Sequence, residues 1–184
     1  MKHWLPNAIC FQLVWLAAVG GAARGWWWAG PAAVAAFAAW QVPMSRWPRA
    51  DLLLMLGAAA IGFAIDSLWV RLDLMRFTAP QPLASMAPVW IVAMWMGFAL
   101  TLNHSLAGLK QHPWLAAALG VIGGPLAYGV AEHTWAAVDL TEPTWIALSA
   151  LAIAWGVVTP LLMLAATRLE PLATPATRAT RAPH

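Results

Sequence analysis

Six apolar stretches, at 5–21, 26–44, 52–70, 86–106, 114–131 and 144–167, set the terms for folding. A helix needs about 20 apolar residues to cross a bilayer. Six crossings would use roughly 120 of the 184 residues and leave no room for a separate soluble domain. The stretches are apolar on every side rather than alternating, which disfavours a barrel. A helix satisfies its own backbone in lipid and a lone strand pair does not. The expected fold is therefore all-α: a polytopic transmembrane bundle of six spans in one domain, 1–169, followed by a disordered tail at 170–184. Composition agrees. Charged residues make up 9% of the chain, against about 25% in a soluble domain.

Local features mark the breaks between spans. Arg24 with Gly25, Pro43 to Arg49, Arg71 to Pro82, Lys110 to Pro113, and Glu132 to Pro143 interrupt the apolar runs. Lys2 ahead of span one resembles a signal peptide, but Asn7 and Gln12 interrupt its apolar region and five more spans follow, so the span is expected to be retained. With the N-terminus inside, seven basic residues (Lys2, Arg46, Arg49, Lys110, Arg168, Arg178, Arg181) face the cytoplasm and three (Arg24, Arg71, Arg76) face away. The positive-inside rule then predicts that both termini are cytoplasmic.

Cys10 is alone, so no internal disulfide and no cysteine-rich metal site is expected. The basic residues form no continuous face for nucleic acid. The 14 tryptophans divide by position. Trp4, Trp26, Trp27, Trp28, Trp47, Trp69, Trp90, Trp114, Trp135 and Trp145 lie near span ends, where an interfacial belt is expected. Trp15, Trp95 and Trp155 lie nearer mid-span, as core packing or as the wall of a cavity for an acyl chain or flat ligand.

Polar groups at membrane depth are the candidate functional residues. Asp66 is the one charge in its span and needs a partner, water or a proton. Arg71, Arg76, Tyr128 and Trp N–H groups are the candidate partners, and Gly62, one turn earlier, leaves space beside it. The second cluster is Thr101-Leu102-Asn103-His104-Ser105. Read as helix, it places Thr101, His104 and Ser105 on one face and turns Asn103 away. His104 suits a general base or a headgroup contact; helix–helix hydrogen bonding is the plainer reading. Asn7 and Gln12 in span one invite the same two readings, and Asn7 shares the depth of Asn103 and His104. Gly123-Gly124-Pro125 in span five allows close approach and a bend. No phosphate loop, zinc pattern or nucleophile elbow is present. No metal and no cofactor is expected.

The motifs Asn7-x3-Phe11-Gln12 with Trp15, Asp66-Ser67-Leu68, Ala87-Pro88-x-Trp90 with Trp95 and Phe98, Thr101-Leu102-Asn103-His104-Ser105-Leu106, and Gly124-Pro125-Leu126-x-Tyr128 together resemble a family of small bacterial inner-membrane proteins described only as a domain of unknown function. The likeness covers about 7–169. It implies a polytopic helical protein of the bacterial inner membrane and a genomic association with lipid-linked genes, and it brings no activity.

Three functions fit these residues. The first is a non-enzymatic accessory or scaffold component linked to membrane-lipid metabolism, with membrane lipids and other membrane or lipid-modifying proteins as partners. The second is a lipid-modifying enzyme with His104 as base, helped by Asn103 or Asp66. The third is a small proton-coupled transporter using Asp66, which as a six-span chain would work as a homo-oligomer. Asn7, Gln12, Thr101, Ser105 and Tyr128 are the candidate ligand contacts. An enzyme requires Asn103 and His104 around an open pocket, and a transporter requires a polar path from Asp66 to His104. A scaffold spends its polar groups between helices.

Overall fold

The computed structural model describes residues 4–79 and 82–172. The helices are α1 (Trp4–Ala22), α2 (Ala29–Met44), α3 (Pro48–Arg71), α4 (Val89–Leu102), α5 (Pro113–Trp135) and α6 (Thr144–Leu172). A 3₁₀ turn, Ala107–Gln111, links α4 to α5. The all-α bundle matches the expectation, and α1, α3, α5 and α6 are long and apolar enough to cross a membrane. α2, with 16 residues, and α4, with 14, are shorter than the stretches drawn for them. At the other end, α6 continues through Leu172, into the segment expected to be disordered. The remainder of that expected tail, 173–184, lies outside the described residues.

α4 is the central post. It packs against α1, α2, α3 and α6, and ten of its 14 residues are buried. A helix apolar all round suits such a position. The outer surface is apolar too. On α6, Ile153, Val157, Leu161 and Leu164 are exposed at helical spacing, a pattern that water disfavours and a bilayer accepts. Trp4, Trp26, Trp27, Trp28, Trp114 and Trp145 are exposed near helix ends, as a belt requires. Trp90 departs from that expectation. It is buried, and its indole N–H donates to the Thr78 carbonyl at 3.1 Å.

Small residues set the helix pairs. A Cβ at Gly120 would lie 2.1 Å from the Trp155 carbonyl oxygen, and one at Gly124 would lie 2.5 Å from the Trp155 ring. These two glycines let α5 lie against α6. α5 runs on through Pro125 as one helix. Between α3 and α4 the space at Gly62 is filled by the indole of Trp95. Two short strands, β1 (Met75–Phe77) and β2 (Val138–Leu140), pair antiparallel with Arg76 opposite Asp139. They tie the α3–α4 connection to the α5–α6 connection.

Candidate functional site

Two separate polar networks stand at opposite ends of the bundle. The first gathers around His104. The sequence led us to expect 101–105 as helix, but α4 stops at Leu102 and Asn103 to Leu106 form a turn. Asn7 of α1 accounts for the stop. Its Nδ2 donates to the Leu100 carbonyl at 3.0 Å, and its Oδ1 accepts from the Ser105 N–H at 3.2 Å. In a continued helix those groups would bond His104 N–H and Thr101 C=O. The asparagine amide stands in for the missing helical partners, and the Thr101 carbonyl accepts from His104 N–H and Leu106 N–H. His104 and Ser105 therefore leave the helical face that Thr101 would have shared with them. Thr101 itself donates to the Phe98 carbonyl at 2.6 Å.

Asn7 then fixes the orientation of everything beyond it. Its second Nδ2 hydrogen goes to Gln41 Oε1 of α2 at 3.1 Å. Turning the Asn7 amide over would set Oδ1 against the Leu100 carbonyl, so the backbone holds it one way. Gln41 must accept at Oε1 and donate at Nε2, which reaches the His104 ring at 3.2 Å from Nδ1 and 3.4 Å from Nε2. The His104 proton then belongs on Nε2, 3.0 Å from Asp51 Oδ2. The other Asp51 oxygen accepts from Asn103 Nδ2 at 2.6 Å. Asn103 Oδ1 accepts from Lys110 Nζ at 2.5 Å, and Lys110 also pairs with Glu170 of α6. The chain of bonds thus joins five helices, α1, α2, α3, α4 and α6, with the turn after α4 and the 3₁₀ turn. A small cavity of about 180 Å³ borders it, lined by Gln41, Asn103 and His104 among others.

The second network belongs to Asp66, which is fully buried. Its Oδ2 accepts from Trp95 Nε1 at 2.8 Å and its Oδ1 from Tyr128 OH at 2.6 Å. Of the partners expected from sequence, Tyr128 and a Trp N–H are used. Arg76 instead pairs with Asp73 at 3.0 Å. The room expected beside the carboxyl at Gly62 is occupied by Trp95. That indole stacks on Trp155 with ring centres 4.1 Å apart. No hydrogen bond among the described residues joins this network to the His104 network.

Between the two ends runs a groove of about 580 Å³. α4 and α6 form its floor, and α1 and α5, which barely meet, form its sides. Trp4, Ser105 and Leu106 border one end, and Ile91 and Val130 border the other. The wall is mostly apolar, and none of its described lining residues is charged. Trp95 and Tyr128 both line it, whereas Asp66 lies behind them. Asp66 thus holds two aromatic walls in place. Gln12 also lines the groove, exposed, and makes no side-chain hydrogen bond among the described residues.

Sequence reasoning passed over Asp51, Gln41, Lys110 and Glu170. Asp51 gave one signal. It is an acid in the first turn of α3, at the depth assigned to Asn103 and His104.

An apolar helical bundle with a lateral groove and two internal polar networks defines the class as a membrane-embedded helical protein. The chain belongs to the family described as a protein of unknown function, DUF2878, whose profile matches residues 4–161. That range holds Asn7, Asp66, the 101–105 turn and Tyr128. No curated protein and no solved structure matches the chain.

Proposed function

We propose that this protein is a non-enzymatic accessory component of a bacterial inner membrane, linked to membrane-lipid metabolism, which holds a lipid-class molecule in the groove between α1 and α5. In this reading all six helices lie in the bilayer, and the basic-residue count sets both termini in the cytoplasm. The supporting observation is the pairing of a largely apolar groove of about 580 Å³ with two polar networks, at His104 and Asp66, whose side chains bond to one another. That volume falls in the range of small-molecule sites, about 300–1,000 Å³.

The enzyme reading asks His104 to accept a proton from a substrate. Asp51 and Gln41 already engage its ring nitrogens. The transporter reading asks for a polar path from Asp66. Both Asp66 oxygens are engaged by Trp95 and Tyr128, and the side chain has no exposed surface.

The test fills the groove. A Cβ at Gly123, which lines it, would meet only Leu119 at 3.9 Å. Wild type purified in mild detergent is expected to carry co-purified lipid and Gly123→Phe to lack it, while the two proteins share one thermal midpoint once both are delipidated. Lipid profiles of a deletion strain should change and be restored by wild type and by His104→Ala, but not by Gly123→Phe. Equal lipid retention by the two purified proteins would refute the reading.

A further inference from the structure

Resting on the reading of the groove as a lipid site, the geometry points to the chemistry of its occupant: a long-chain molecule with an uncharged oxygen acceptor along its length, as in a fatty-acyl ester. Two buried polar atoms on α6 have no partner among the described residues, Trp155 Nε1 and Thr159 Oγ1. Thr159 is fully buried, and both residues line the groove. Separated by four positions, they lie one turn apart on the same helix face. On α1, Gln12 brings an unbonded amide to the same groove.

Each is out of place in hydrocarbon. A buried donor without an acceptor costs about 1–3 kcal/mol, and lipid offers no water to relieve it. At about 1.5 Å per residue, Gln12 lies roughly 8 Å along α1 from Asn7 and Thr159 roughly 16 Å along α6 from Glu170, each well inside its helix. These are depths that an alkyl chain would leave unmatched. The donors call for an oxygen acceptor inside the groove they line. None of the described lining residues is charged, which disfavours a carboxylate or phosphate there, because an unpaired buried charge is expensive. The Trp155 N–H donates, while the Thr159 hydroxyl and Gln12 amide can donate or accept.

The test uses the purified full chain, delipidated in detergent, titrated with methyl palmitate, octadecane or palmitate and read by native mass spectrometry. Wild type is expected to bind methyl palmitate about three- to tenfold more tightly than octadecane, the worth of one net hydrogen bond, and to bind palmitate no better than octadecane. The ester preference should fall to about one in Gln12→Leu, an exposed position that folding tolerates, and in the double variant Trp155→Phe/Thr159→Val. Equal binding of ester and alkane by wild type overturns this inference and leaves the groove reading standing. A preference retained in both variants also overturns it. Binding of neither probe refutes the groove reading itself.

Discussion

Replacing Gly62 by alanine should damage this protein far more than one methyl group suggests. The new Cβ would lie 2.1 Å from Cγ of Trp95 and 2.2 Å from its Cδ1, with ordinary contact beginning at 3.4 Å. The indole must therefore retreat by about 1.3 Å, from 2.1 to 3.4 Å. It has little room to do so. Trp155 stacks on it at 4.1 Å, and its N–H is held by Asp66 at 2.8 Å. Overpacking of a core costs about 1–3 kcal/mol. Stretching the indole bond leaves a buried carboxyl oxygen short of a donor, at about a further 1–3 kcal/mol. The expected loss is about 2–6 kcal/mol, the sum of these two. The assay is thermal or denaturant unfolding in detergent, with Gly57→Ala as the control. Gly57 lies on the same helix, and a Cβ there meets nothing within 4 Å. The control should be neutral or slightly more stable, because alanine is the better helix former. If Gly62→Ala unfolds at the same point as Gly57→Ala, the close fit of Trp95 against α3 is wrong.

Three further outcomes follow from the two networks. Tyr128→Phe removes the donor to Asp66 Oδ1 and should lower stability by about 1–3 kcal/mol in the same unfolding assay; no change would mean that the 2.6 Å bond contributes nothing. Asn7→Asp keeps the shape but sets oxygen against the Leu100 carbonyl and Gln41 Oε1, at about 1–3 kcal/mol for each. It should be worse than Asn7→Ala, and a reversed order would refute the one-way orientation of the Asn7 amide. Nitrogen-15 spectra of His104 should show the proton on Nε2 and a bare Nδ1, and Gln41→Leu should keep that tautomer because Asp51 still accepts from Nε2. The opposite tautomer in wild type would break the argument from Asn7 to Asp51.

Much of the bundle was legible because hydrocarbon is a strict solvent. It leaves helix as the answer for long apolar runs, and it makes Asp66, Asn7 and His104 conspicuous. The groove left a fainter mark, in the mid-span Trp15, Trp95 and Trp155, which read equally as packing or as a cavity wall and which line it. It exists because α1 and α5 stand apart over the floor of α4 and α6, and spacing within one helix says nothing of a gap between two. The end of α4 was misread for a related reason. Its stop signal is Asn7, 93 positions from Leu100, and local propensity at 101–105 allows the helix to continue. Asp51 was missed because an acid just after Pro48 and Arg49 reads as an ordinary helix start in water. Only the packing of α3 beside the turn after α4 buries it fully.

The amide of Asn7 also bears on the order of assembly. Transmembrane helices enter a bilayer singly and pack afterwards. Until α1 docks, the Leu100 carbonyl and the Ser105 N–H have no Asn7 amide to meet, and an unpaired buried group is costly. The turn that carries His104 toward Asp51 is thus made by an encounter between the first helix and the fourth, and a chain deprived of α1 would lose the shape of α4 as well as a neighbour.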